Sequence, residues 1–237
     1  MIARRLGILG GTFDPIHMGH VDAARVAEAA LGLGELLLVT SHIPPHRTQP
    51  FASPYHRFAM VALTVAEHSP WRASDLELQA VTPSYTSCTL DRLHAVGYRP
   101  TELFFIVGAD AFREIESWKD YPSIFDRAHF AVISRPGADV SELAERLPGL
   151  APRMIRVTTV AVASGATSIF LIDAPTADVS STAIRGRCAA GQSIAGLVPA
   201  SVEQHIERHR LYFSAPDDAN AEGGRRHPAA GRLHGEK

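Results

Sequence analysis

The stretch Gly10-Gly11-Thr12-Phe13-Asp14-Pro15-Ile16-His17-Met18-Gly19-His20 holds the densest set of chemically capable residues in this 237-residue chain. Two imidazoles three residues apart share one face of a helix's first turn. The two leading glycines let a backbone bend sharply and come close to a ligand. Free N–H groups at a helix N-terminus, with the positive end of its dipole, favour an anion. His17 and His20 add donors, and positive charge when protonated. Together these suit phosphate. No Lys follows the glycines at P-loop spacing and Gly-x-Gly-x-x-Gly is absent, so this is neither a P-loop nor the usual dinucleotide fingerprint.

Strand and helix must hold that stretch in place. Residues 6–9 read as a short buried strand and the Ala-rich residues 21–31 as a helix. Residues 35–40 predict a second strand. Ser53 caps, and Pro54 opens, a helix reaching about His68. Residues 71–78 read as a short strand or extended segment, and residues 83–86 open a helix that ends near Gly97. Residues 103–107, the most apolar stretch, predict a central parallel strand running into Gly108-Ala109-Asp110. A short helical region over 111–126 follows. Further strands are expected over 130–134, 154–162 and 168–172, with a surface helix over 141–147. Ser180-Ser181-Thr182 caps a helix to about Ala190, and a last helix covers 201–209.

Alternating strands and helices predict an α/β fold: a Rossmann-like, doubly wound parallel sheet with a small C-terminal helical part. Such sheets bind ligands beyond the carboxyl ends of their strands. The loops 10–20 and 41–54, with Asp110 and Arg135, all follow expected strands and so share one crevice. Residues 1–213 read as one domain. Residues 214–237 are rich in Ala, Gly, Asp, Asn and Arg, with one Leu, and read as a disordered tail.

Hydrophobic residues make up 46% and charged residues 20%, with a net charge of −2, an ordinary globular balance that excludes a nucleic-acid-coating surface. Two cysteines, Cys88 and Cys188, show no metal or redox spacing, and no His, Cys or carboxylate cluster looks like a metal cage. The apolar run over 6–9 is too short for a signal peptide, and no run is long enough to cross a membrane. The expectation is a cytoplasmic protein with reduced thiols, compatible with a homo-oligomer.

The first motif resembles that of the nucleotidyltransferases with a His-x-Gly-His signature. Pro44-Pro45-His46-Arg47, Ser84-Tyr85-Thr86, Gly108-Ala109-Asp110, Trp118 and Ser180-Ser181-Thr182-Ala183-Ile184-Arg185 narrow the resemblance. Over residues 6–212 the chain is similar to bacterial nicotinate-nucleotide adenylyltransferases. The resemblance implies that ATP and nicotinate mononucleotide give nicotinate adenine dinucleotide and pyrophosphate. The mononucleotide phosphate would attack the α-phosphorus in line, so the enzyme's work is positioning and charge stabilisation.

It also implies roles. His17 and His20 would be catalytic, on the ATP phosphates. Gly10, Gly11, Thr12, Phe13 and Gly19 would bind ATP, the Thr12 and Phe13 contacts running through backbone N–H groups. Asp110 would accept from the ribose hydroxyls, and Arg135 would lie near adenine or ribose. Ser180, Ser181, Thr182 and Arg185 would form a second anion site for the β- and γ-phosphates. On the mononucleotide, His46 and Arg47 would face the phosphate, Tyr85 and Thr86 the nicotinate carboxylate, and Trp118 would stack on the pyridine ring. Lys119, where the family often has an aromatic, would contribute its backbone N–H. Mg²⁺ would arrive on the ATP, held by phosphate and water. The neighbouring alternatives are transferases of the same fold acting on phosphopantetheine or nicotinamide mononucleotide; a noncatalytic nucleotide-binding module is the alternative of another class.

Overall fold

The computed structural model describes residues 4–43, 49–80, 83–157 and 165–213. Seven strands form one sheet in the order β3-β2-β1-β4-β5-β7-β6, every neighbouring pair parallel. They are β1 (Leu6–Gly11), β2 (Glu35–Thr40), β3 (Trp71–Ser74), β4 (Leu103–Gly108), β5 (His129–Ile133), β6 (Met154–Arg156) and β7 (Ile169–Ile172). The helices are α1 (Met18–Leu31), α2 (Pro54–Ala66), α3 (Thr86–Ala95), α4 (Ala109–Phe112), α5 (Leu143–Arg146), α6 (Ser181–Ala189) and α7 (Ala200–Arg208). Among the described residues, no helix is long and apolar enough to cross a membrane.

Period-two alternation divides the core into two layers. Phe104 and Ile106 of β4, Ala131 and Ile133 of β5, and Phe170 and Ile172 of β7 face one side, with α1, α6 and α7. Leu103, Phe105 and Val107, Phe130 and Val132, and Ile169 and Leu171 face the other, with α3 and α5. Strand order reverses at β1: the chain winds out through β2 and β3, then returns to β4 on β1's opposite edge. A crevice opens beyond the carboxyl ends of β1 and β4, as that reversal requires.

Several expected boundaries move. β3 stops at Ser74, and Asp75 starts a turn in which Leu78 N–H donates to the Asp75 carbonyl at 2.8 Å. The surface helix over 141–147 shrinks to α5, because Pro148 disfavours helical geometry in the residue before it. Helix α1 starts at Met18, so His17 is its N-cap and His20 its third residue. Strand β6 ends at Arg156, and the rest of the strand expected over 154–162 lies mostly outside the described residues, as does the tail 214–237.

Candidate active site

Gly10 and Gly11 do not make the bend expected of them. Both end β1 in regular register with Val39 and Thr40 of β2. The left-handed residue is Phe13, at φ 49°. That geometry costs a non-glycine residue about 1–2 kcal/mol. Burying the Phe13 ring, 1% exposed, returns about 1.5–3 kcal/mol. Gly11 is needed for that ring, since a Cβ there would stand 2.9 Å from it.

Asp14, 4% exposed, does more than shape the turn. Its carboxylate accepts from Phe51 N–H at 2.8 Å, Ala52 N–H at 3.0 Å and the Tyr212 hydroxyl at 2.8 Å. Burial and this contact push the Tyr212 phenol up, which keeps it a donor. Asp14 thus joins the loop after β1, the start of α2 and the segment after α7.

The two histidines divide their work. His17 N–H donates to His20 Nδ1 at 3.3 Å, which leaves the proton of the His20 ring on Nε2. The rings stack at 3.7 Å, and Phe13 meets His20 edge-on at 5.1 Å. His20 lines the cleft. His17 is only 2% exposed, and its Nδ1 has no partner. Burial first, then the Arg135 charge, pulls the His17 pKa down to about 3. His17 is therefore neutral at pH 7, so the positive charge that protonation would bring is absent there.

Two arginines flank this loop. Arg135 Nη1 is 3.8 Å from Asp110 Oδ2. Gly19 and Gly108 make room for it, since a Cβ on either would meet the Arg135 side chain within 3.0 Å. Asp110 is exposed in the cleft and does not cap α4, whose N-cap is Gly108. Arg185, one turn into α6, donates to the Asp14 carbonyl at 2.7 Å and to Thr182 Oγ1 at 3.2 Å, and stacks on Phe51. Ser181 Oγ donates to the Pro15 carbonyl at 2.9 Å. Ser180 Oγ accepts from Ala183 N–H, as an N-cap should. Of this group, Ser181 and Arg185 line the cleft; Ser180 and Thr182 support it.

Tyr85, Thr86, Trp118 and Lys119 gather elsewhere in the same cleft of about 400 Å³. Tyr85 caps α3 without a side-chain hydrogen bond, so the helix's first N–H groups rely on other partners. Half-buried Trp118 meets Phe105 edge-on at 6.1 Å. Lys119 Nζ lies 4.9 Å over the Tyr85 ring. His46 and Arg47 lie outside the described residues.

A cytidylyltransferase-like family model matches residues 8–187. A probable nicotinate-nucleotide adenylyltransferase of Desulfitobacterium hafniense (strain Y51) is 40% identical over 210 residues, spanning 88% of this chain and 96% of that protein. Another, from Cronobacter sakazakii, is 38% identical over 207 residues, spanning 87% and 94%. The chain belongs to the nicotinate-nucleotide adenylyltransferase family. Its fold is also that of the Plasmodium falciparum nicotinic acid mononucleotide adenylyltransferase complexed with NaAD, at a TM-score of 0.65 and 19% identity over 88% of this chain and 97% of that one.

The motifs of the nicotinate-nucleotide adenylyltransferase family do not lead to two residues that shape the cleft. Arg57 is completely buried. It donates to the carbonyls of Thr12 and Ser41 at 2.7 Å, and to those of Ala52 and His42 at 3.3 Å. Its signal is positional: it shares the buried stripe of α2 with Met60, Val61 and Thr64, where an Arg must find internal acceptors. Glu77 lines the cleft and accepts from Thr89 Oγ1 at 2.5 Å; burial raises its pKa. Nothing local in the sequence marks it. The expectation that no side-chain cluster resembles a metal cage also needs correction. Packing of α2 against α7 brings His56, His205 and His209 together, although the first is far from the others in sequence.

Proposed function

We propose that this chain transfers the adenylyl group of ATP to nicotinate mononucleotide, giving nicotinate adenine dinucleotide and pyrophosphate. The observation that carries the reading is the His17–His20 stack at the β1–α1 turn, with His20 lining a cleft that also holds Trp118 and the start of α3.

A phosphate oxygen of the mononucleotide attacks the α-phosphorus of ATP. That P–O bond forms as the bond to the β-phosphate bridging oxygen breaks, and pyrophosphate leaves. His20 Nε2–H donates to the α-phosphate or the departing oxygen, where negative charge grows. His17, buried beneath the cleft, acts on phosphate through the His20 ring that it stacks against and fixes. The backbone N–H groups of Thr12 and Phe13 take further phosphate oxygens after β1, where Gly10 and Gly11 let the ligand come close, and Gly19 keeps the approach at the start of α1 open. Arg185 and Ser181 sit where the β- and γ-phosphates go, with Ser180 and Thr182 holding the start of α6. Asp110 accepts from the ribose hydroxyls, with Arg135 beside it. Trp118 stacks on the pyridine ring. The first N–H groups of α3 at Thr86, with Tyr85 and Lys119 beside them, receive the carboxylate.

The cleft suits a metal that arrives on the triphosphate. Asp14 is already engaged by three donors, and Arg135 and Arg185 together carry less charge than a triphosphate. Mg²⁺ coordinated by phosphate and water would supply the remaining neutralisation. The two unpaired cysteines and an ATP substrate support a cytoplasmic setting.

The test is pyrophosphate release with ATP and Mg²⁺ against nicotinate mononucleotide, nicotinamide mononucleotide and 4′-phosphopantetheine in parallel. A strong preference for the nicotinate substrate is expected. Preference for either rival discards the acceptor assignments at Thr86 and Trp118. Silence with all three discards the transfer reaction.

A further inference from the structure

Away from the cleft, α2 and α7 pack antiparallel. Glu67, just after α2, accepts from Ser201 Oγ at the start of α7 at 2.8 Å. At the opposite end, His56 in the first turn of α2 meets His205 and His209 at the end of α7. Spacing of i,i+4 puts the latter two on one helix face. One nitrogen from each ring lies within 4.8 Å of the other two. His56 Nδ1 is 3.1 Å from His205 Nε2, and the ring centroids are 5.3, 4.9 and 4.4 Å apart. His56 and His205 are half-buried and His209 is exposed.

We propose that His56, His205 and His209 form a three-histidine binding site for a divalent transition metal of the Zn²⁺ class, clipping α2 to α7. Metal–nitrogen bonds of about 2.0–2.1 Å in a tetrahedron put ligand nitrogens about 3.3–3.4 Å apart. The His56–His205 pair already stands near that spacing, and the exposed His209 ring has freedom to close it. A hydrogen bond accounts for one pair of rings but not for the convergence of the third. All-imidazole ligation selects Zn²⁺, Ni²⁺ or Cu²⁺ over Mg²⁺, so the metal carried by a nucleotide does not compete. The fourth position opens to solvent beside His209 and takes a water.

The site's place in the fold defines what it does. His56 precedes Arg57, which holds the Thr12 and Ser41 carbonyls. His209 lies three residues before Tyr212, which holds Asp14. A metal here fastens both supports of the phosphate loop without touching the reacting atoms, and its existence does not depend on the reaction assigned above.

The full-length protein, stripped by chelator and dialysed, is titrated with Zn²⁺ in excess Mg²⁺, and separately with Co²⁺. One equivalent is expected to bind. At a hundredfold excess over Kd, Tm should rise about 5–10 °C. Co²⁺ should give the intense visible absorption of tetrahedral coordination. His209→Gln, at an exposed position, and His205→Gln should each weaken binding more than about tenfold and remove the Tm gain, since loss of even an outer-shell partner costs 10–100-fold. The Co²⁺ spectrum is read on the unaltered protein and so does not depend on how a variant folds. Affinity unchanged in both variants, octahedral Co²⁺ only, or no binding below millimolar Zn²⁺ would each overturn the site.

Discussion

Arg57→Met tests whether one buried cation holds the loops of the cleft. The guanidinium makes two bonds of 2.7 Å, to the Thr12 and Ser41 carbonyls, and two of 3.3 Å. A hydrogen bond from a charged donor contributes about 1.5–3 kcal/mol net, so the short pair alone sets a floor of about 3 kcal/mol. Burial works against the cation and lowers its pKa, while Asp14 favours it. Met occupies most of the stem's volume, which keeps the cavity contribution small. It also leaves two buried carbonyls without donors and Asp14 with one fewer cation nearby. Breaking such a buried cluster costs about 3–5 kcal/mol. At 2–4 °C per kcal/mol for a chain of this size, Tm should fall roughly 6–20 °C. Arg57→Lys keeps the charge but cannot span four carbonyls, and should recover less than half of the loss. Thermal and urea unfolding of both variants, with the KM for ATP, are the measurements. A Tm for Arg57→Met within about 2 °C of the parent, or full recovery by Lys, would refute the reasoning.

His20→Ala should lower turnover about 10²–10³-fold and leave mononucleotide affinity nearly unchanged, because its donor acts most where charge develops; single-turnover rates and equilibrium binding separate the two, and equal losses in both contradict the role. Trp118→Ala should weaken mononucleotide binding about tenfold and move Tm little, since the ring is half exposed; unchanged affinity with a large Tm loss would make Trp118 a packing residue. Acid should destabilise the protein through His17 and His129, whose buried rings have pKa values lowered to about 3 and about 4. Their unfolded forms take up protons first, so stability is fully present above about pH 6.5 and is lost as pH falls toward 4, by about 2–3 kcal/mol per histidine at pH 4.5. Glu77, raised by burial, offsets part of this. Urea unfolding at pH 7.5, 5.5 and 4.5 reads the slope; a flat profile contradicts the buried, neutral state of both rings.

What was legible in the sequence was local. Ser53 and Pro54 announce the start of α2, Ser180 that of α6, and the apolar run of β4 its central position, because caps and strand patterns act over a few residues. The grouping of Gly10–His20 with Asp110 and Arg135 followed from each lying just after an expected parallel strand. Misreadings arose where a residue's environment comes from far along the chain. His17 looks like a titratable surface imidazole until packing buries it beside Arg135. Asp14 shows no partner in sequence because its partners are 37, 38 and 198 residues away. His205 and His209 display their helical spacing openly, but His56 is 149 residues from His205 and only the α2–α7 packing unites them.

The bond between Asp14 and Tyr212 sets a timetable for the enzyme's birth. Its two ends are 198 residues apart. At about 5–20 residues per second, a ribosome needs roughly 10–40 s to travel between them. Arg185, the other side chain that grips the Asp14 segment, also emerges late. A nascent chain can pair β1, β2 and β4 early, yet its phosphate loop remains unfinished until Tyr212 has emerged. Chains released before Arg185 and Tyr212 therefore carry the signature motif without the two side chains that grip the Asp14 segment.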